Sequence, residues 1–178
     1  MYFPAHTVAS APDPARRGLL AIEKHFGHLP DAAARMATSP QLLEGFQRLN
    51  GLFAATSLPP LARETVIMTV AVRNGCHVCV ALHTQRLHEL GADGGLIAAL
   101  RTETPIHDPT LAAVRAFALA VLAHSGDVPA KDLDAFEAAG WSARAALEVV
   151  LGIGTYTLST FANRLTGATI DPELAVHA

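Results

Sequence analysis

Apolar side chains recur along the 178-residue chain at intervals of three and four, and no run alternates apolar with polar positions between turn signals, so the pattern predicts helices and no strands. Leu42, Leu43, Phe46, Leu49 and Phe53 mark one helix, and Val66, Ile67, Val70 and Ala71 form the apolar face of another from about Leu61 to Arg73. Asp13-Pro14, Ser39-Pro40 and Asp108-Pro109 each place a capping side chain ahead of a proline at the first helical position, where the missing N–H does no harm. Helices therefore start near residues 14, 40 and 109. Gly27 stops the first after about His25, and a short helix follows Asp31. Asn74-Gly75, both tolerant of left-handed backbone angles, end the Leu61 helix, and a fresh one runs from about Cys76 to Leu90 before Gly91. Further on, Asp93 caps a short helix to Leu100, and a loop spans Thr102 to Asp108. An apolar helix from Thr110 to His124 ends at Gly126, residues 130–139 form a short helix, and Ser142 caps a long one reaching Leu165 before Gly167. The tail after Asp171-Pro172 is expected to be poorly ordered.

Composition narrows the fold class. Hydrophobic residues make up 51% of the chain but aromatic residues only 6%, so Ala, Leu and Val carry the apolar content, as in close-packed helices. The expectation is an all-α single domain. A mean hydropathy of +0.29 in so small a chain implies apolar surface covered by further copies, hence a homo-oligomer. The most apolar stretch, Val149 to Ala162, is interrupted by Gly152, Gly154, Thr155, Thr157, Ser159 and Thr160 and is too short to span a bilayer, so no membrane partner is expected. A formal charge of -3 without a run of like charges gives no footprint for nucleic acid. Met1 to Arg17 lack a basic start followed by an apolar core, which points to a cytoplasmic location.

The reactive side chains concentrate in one stretch: Glu64, Cys76, Cys79 and His83, with both cysteines of the protein included. At ~100° per residue, Cys76, Cys79 and His83 share one face of a helix. Cβ atoms three apart lie roughly 5–6 Å from each other, so a modest adjustment in the first turn lets the sulfurs bond. The start of a helix offers them free N–H groups and the positive end of its dipole, which favours thiolates. His83 can take a thiol proton, and Glu64 can fix the imidazole tautomer. Spacing leaves open which sulfur attacks: analogy with other C-x-x-C helices favours Cys76, and proximity to His83 favours Cys79. We take Cys79 as nucleophile and Cys76 as resolver. Two competing readings are buried, inert cysteines and a zinc site in which Cys76, Cys79 and His83 are joined by Glu64.

Other features read as scaffold. His25, His28, His88, His107, His124 and His177 fall near helix ends or in loops, and Trp141 and Tyr156 read as packing or subunit contacts. Gly152 and Gly154 read as permitting close helix approach, since a G-x-G inside a helix lacks the strand that a nucleotide site needs. A faint echo relates Glu64–Gly91 to Arg144–Gly167, pairing Cys79 and His83 with Ser159 and Asn163, as a duplicated helical unit would.

The run Glu64-x11-Cys76-x2-Cys79-x3-His83, with a C-terminal half ending FANRLTG, resembles the AhpD-like alkylhydroperoxidase branch of the carboxymuconolactone decarboxylase superfamily. The resemblance implies an AhpD-like helical bundle with its core over residues 40–167, an N-terminal helical extension over 1–39 and a tail over 168–178. It implies a homotrimer or homohexamer that reduces a hydroperoxide substrate and is recycled by an external dithiol or thioredoxin-like reductant, with no bound cofactor. Cys79 matches the peroxidatic position, Cys76 the resolving one, and Glu64 and His83 the proton relay. The best-characterised relatives carry a histidine next to the second cysteine where this chain has Val78, and His77 stands one position early. The decarboxylases of the superfamily typically lack the cysteine pair, which argues against lactone decarboxylation here.

Overall fold

Side-chain caps set most of the helix starts in the computed structural model, which describes residues 2–178. Nine α-helices follow one another there without a strand: α1 (Asp13–Phe26), α2 (Asp31–Met36), α3 (Pro40–Ala54), α4 (Pro60–Arg73), α5 (His77–Glu89), α6 (Gly94–Thr102), α7 (Pro109–Ala123), α8 (Ala130–Ala138) and α9 (Ala143–Thr166). Ser39, Asp93, Asp108 and Ser142 each accept a backbone N–H from the first turn they precede. Asp13 departs from this scheme: it lies inside α1, after Pro12, and pairs with Arg16 at 3.0 Å instead of capping.

The core forms between α4, α7 and α9, with α3 and α6 closing its sides. Val66, Val70, Val114 and Val149 are fully buried there, and Phe53 of α3 reaches into the same cluster. A second, smaller cluster joins Leu19 of α1, Met36 of α2 and Leu43 of α3 to Ala162 of α9, so α1 and α2 pack onto the bundle rather than away from it. Gly152 lets α9 approach closely, because a Cβ there would meet the Phe53 ring at 2.6 Å and Val66 at 3.0 Å. Gly154 does not: it faces outward with nothing near it.

α9 is 24 residues long and, by length and composition alone, apolar enough to cross a membrane, but 56% of its most apolar window is buried inside the fold. Its outward face carries Leu147, Val150, Phe161 and Leu165, all exposed. The single unbroken α9 also differs from the broken α4–α5 pair that its sequence echoes.

The tail is ordered, contrary to the expectation from its composition. Pro172–His177 form a 3-10 helix against α5, with Leu174 buried. Arg101 donates to the backbone carbonyls of His177 at 2.6 Å and Ala178 at 3.0 Å, and Asp171 accepts the backbone N–H of Asp31 at 3.0 Å. One buried leucine and three charge-assisted hydrogen bonds offset the entropy of ordering these residues.

Candidate active site

The reactive residues sit where α4 hands over to α5. Asn74 is the C-cap of α4 and is followed by Gly75, whose φ of +63° is open to glycine at little cost. The Cys76 N–H reaches back to Ala71 O and the Gly75 N–H to Val72 O, both at 2.9 Å, the paired closure of a Schellman turn. From the opposite side α9 holds this turn: Thr160 Oγ1 accepts from Asn74 Nδ2 at 2.9 Å, and Arg164 donates to the Asn74 carbonyl.

Cys76 is thereby the N-cap of α5 rather than its first helical residue, with φ -89° and ψ 90°. Its extended backbone carries Sγ over the new helix end, where it accepts the Cys79 N–H at 3.4 Å. This is the adjustment that closes the pair: Cys76 and Cys79 are joined in a disulfide with their Cα atoms 5.3 Å apart. Both are buried, at 1% and 4% exposure.

Glu64 of α4 and His83 of α5 meet in the interior, with Glu64 Oε2 2.7 Å from His83 Nδ1. With Nδ1–H donated to the carboxylate, Nε2 is left as the proton acceptor. Residues four apart on a helix are neighbours, which puts His83 one turn below Cys79. Tyr156 of α9 packs edge-on against the imidazole, ring centroids 5.3 Å apart, and its hydroxyl donates to Asn50 Oδ1 at 2.8 Å. Burial first, and then the nearby Glu64 charge, push the Tyr156 phenol far above its ordinary range, so it stays protonated. Among the described residues no group of three or more His, Cys, Asp and Glu side chains is arranged to hold a metal ion.

The structure thus brings Glu64, Cys76, Cys79 and His83 together across two helices. His77 is exposed and Val78 buried, joining Ala71, Cys76 and Cys79 in a small apolar cluster. Two neighbours of the site were read from sequence as scaffold or as an echo. Tyr156 lines the imidazole, and Asn163 Nδ2 donates to Cys79 Sγ at 3.3 Å. The repeated small polar residues Ser159, Thr160 and Asn163 on an otherwise apolar helix were the signal available for the second.

The four site residues lie in a stretch that matches a family model. Residues 40–122, which span α3 to α7, match the model of the Carboxymuconolactone decarboxylase family. The whole chain is similar to the crystal structure of a protein from Ralstonia eutropha JMP134 described as an alkylhydroperoxidase AhpD core, an uncharacterised peroxidase-related protein. The TM-score is 0.86 at 21% identity, covering 97% of this chain and 93% of that one. A peroxidase-related protein from Silicibacter sp. TM1040 superposes with a TM-score of 0.77 at 17% identity, covering 98% and 92%. A cysteine-to-alanine variant of the debrominase Bmp8, solved with 2,3,4-tribromopyrrole, gives a TM-score of 0.76 at 18% identity, covering 99% and 95%. No curated protein sequence matches the chain. The protein is AhpD-like in fold, and its residues 40–122 resemble the Carboxymuconolactone decarboxylase family.

Proposed function

We propose that the protein is a thiol-dependent peroxidase that reduces hydroperoxides through Cys76 and Cys79, with Glu64 and His83 as proton relay. The carrying observation is the Cys76–Cys79 disulfide at the start of α5, with a buried Glu64–His83 pair one helical turn along from Cys79. In the cycle, the Cys79 thiolate attacks the O–O bond of a hydroperoxide, forming a sulfenic acid and releasing an alcohol once the leaving oxygen gains a proton from His83. The Cys76 thiol condenses with the sulfenic acid, expelling water and leaving the disulfide. An external dithiol or thioredoxin-like protein then exchanges with that disulfide and restores both thiols. Such a cycle needs a reducing compartment such as the cytoplasm. The exposed apolar face of α9 supports assembly into a homotrimer or homohexamer.

The test is a titration of the reduced protein with an organic hydroperoxide. Two thiols lost per chain for each peroxide consumed is the expected stoichiometry; thiols that survive excess peroxide would refute the peroxidase. Val78 in place of the relatives' histidine, together with a debrominase on the same fold, favours one second reading. In it the pair is a thiol–disulfide oxidoreductase whose electrophile is not a peroxide. Disulfide exchange with a small dithiol that persists in peroxide-inert protein would select that reading.

A further inference from the structure

Asn163 projects from α9 onto the two sulfurs and is itself only 5% exposed. Its Nδ2 donates to Cys79 Sγ at 3.3 Å and lies 3.8 Å from Cys76 Sγ. Its Oδ1 is buried and has no hydrogen-bond partner among the described residues. An amide in such a place normally has both ends satisfied, so the orphaned carbonyl calls for a cause. The disulfide supplies it. A disulfide carries no hydrogen: it can only accept, so only the N–H side of the amide has anything to bind.

Resting on the redox cycle proposed above, we infer that Asn163 is a further catalytic residue, an amide that distinguishes the two cysteines in the reduced state by donating to the Cys79 thiolate and accepting from the Cys76 thiol. In the reduction step an external dithiol gives two electrons to the Cys76–Cys79 bond, which breaks as the dithiol's own S–S bond forms. Of the two protons released, one ends on Cys76 Sγ and the other passes to His83 and on to solvent, leaving Cys79 as thiolate. The new Cys76 S–H is the donor that Asn163 Oδ1 lacks in the oxidised state. Nδ2, already nearer Cys79 than Cys76, then donates to an anion, a stronger acceptor than a disulfide sulfur.

Both effects have one sign. The amide stabilises the reduced form, through the thiolate and through a carbonyl satisfied only there, so it makes the pair easier to reduce and lowers the Cys79 thiol pKa. It also separates the roles of the sulfurs. The shortest N–H contact to either sulfur is that of Asn163 Nδ2 to Cys79 Sγ at 3.3 Å, against 3.4 Å from the Cys79 N–H and 3.8 Å from Nδ2 at Cys76 Sγ.

The experiment compares wild-type protein with Asn163→Leu, which keeps the side-chain bulk and removes both hydrogen-bonding ends. Site-resolved alkylation of the reduced proteins against pH should place the Cys79 midpoint at least one unit higher in the variant. Equilibration with a dithiol–disulfide buffer should shift the variant at least tenfold toward the disulfide. Equal midpoints and equal redox equilibria would overturn the inference. A second measurement uses wild-type protein alone, in case the leucine variant does not fold: with 15N-labelled asparagine, the Asn163 side-chain amide resonance should move on reduction and titrate with the Cys79 alkylation midpoint. A resonance unmoved by both is equally fatal. Neither measurement uses a hydroperoxide, so thiols inert to peroxide would sink the peroxidase reading while leaving this one standing.

Discussion

At the scale of single residues, the account rests on division of labour around one disulfide. In the proposed cycle His83 carries the proton, and His83→Gln should slow thiol oxidation by a hydroperoxide about 10²-fold or more, read as the single-turnover rate of the reduced protein. Glu64→Gln should cost less, because it frees the imidazole tautomer without deleting the base, and it should shift the pH profile of the reaction rather than flatten it. Glu148 is a structural counterpart to Glu64. Burial alone would raise its pKa, but hydrogen bonds from Ser57 Oγ and N and from Arg144 outweigh burial and hold it below the ordinary value. A carboxyl depressed in this way adds stability that is complete above the unfolded-state value of about 4.3 and is lost as pH falls through the folded value. Glu148→Gln should therefore lower stability at neutral pH and flatten its dependence on pH in the acid range, as measured by denaturant unfolding. Cys76, Cys79 and His83 were legible in sequence because their spacing repeats helical geometry, and Glu64 because it is the carboxylate at the fixed spacing the resemblance carries. Asn163 was not, since it arrives from a helix 84 residues further along, and only tertiary packing sets its amide against Cys79.

At the scale of helices, the sequence signals that succeeded were those with local causes. Ser39, Asp93, Asp108 and Ser142 cap as expected because a side-chain oxygen needs only the next turn's N–H groups. Asp13 failed because Pro12 already starts the helix and leaves Asp13 free to pair with Arg16. Cys76 moved from first helical residue to N-cap, a one-residue difference that decides whether its sulfur can reach Cys79. The two glycines of α9 look alike in sequence and differ in place. Gly152→Val should destabilise the protein by about 1–3 kcal/mol through overpacking against Phe53. Gly154→Ala, on the open face, should be stabilising by up to about 1 kcal/mol through helix propensity alone. Thermal unfolding of the two variants checks the contrast.

At the scale of the whole molecule, apolar surface and tail order were the features least accessible from sequence. The tail docks because Arg101, 76 residues before His177, meets its carbonyls, a long-range contact that no local pattern announces. The outer face of α9 shows the opposite case. High hydropathy led to the expectation of covered surface, and the structure leaves Leu147, Val150, Phe161 and Leu165 exposed on this face. On the proposal that copies assemble through this face, Leu147→Lys together with Phe161→Lys should give monomers in multi-angle light scattering where the wild-type chain gives a trimer or hexamer, with helical content by circular dichroism unchanged.

The central claim, that the Cys79 thiolate attacks a peroxide and Cys76 resolves the product, is most directly tested by trapping the intermediate. Cys76→Ser protein treated with an organic hydroperoxide and a dimedone-type probe should carry one adduct, on Cys79, by mass spectrometry. An adduct on Cys76 in the reciprocal Cys79→Ser protein, with none on Cys79, would contradict the assignment.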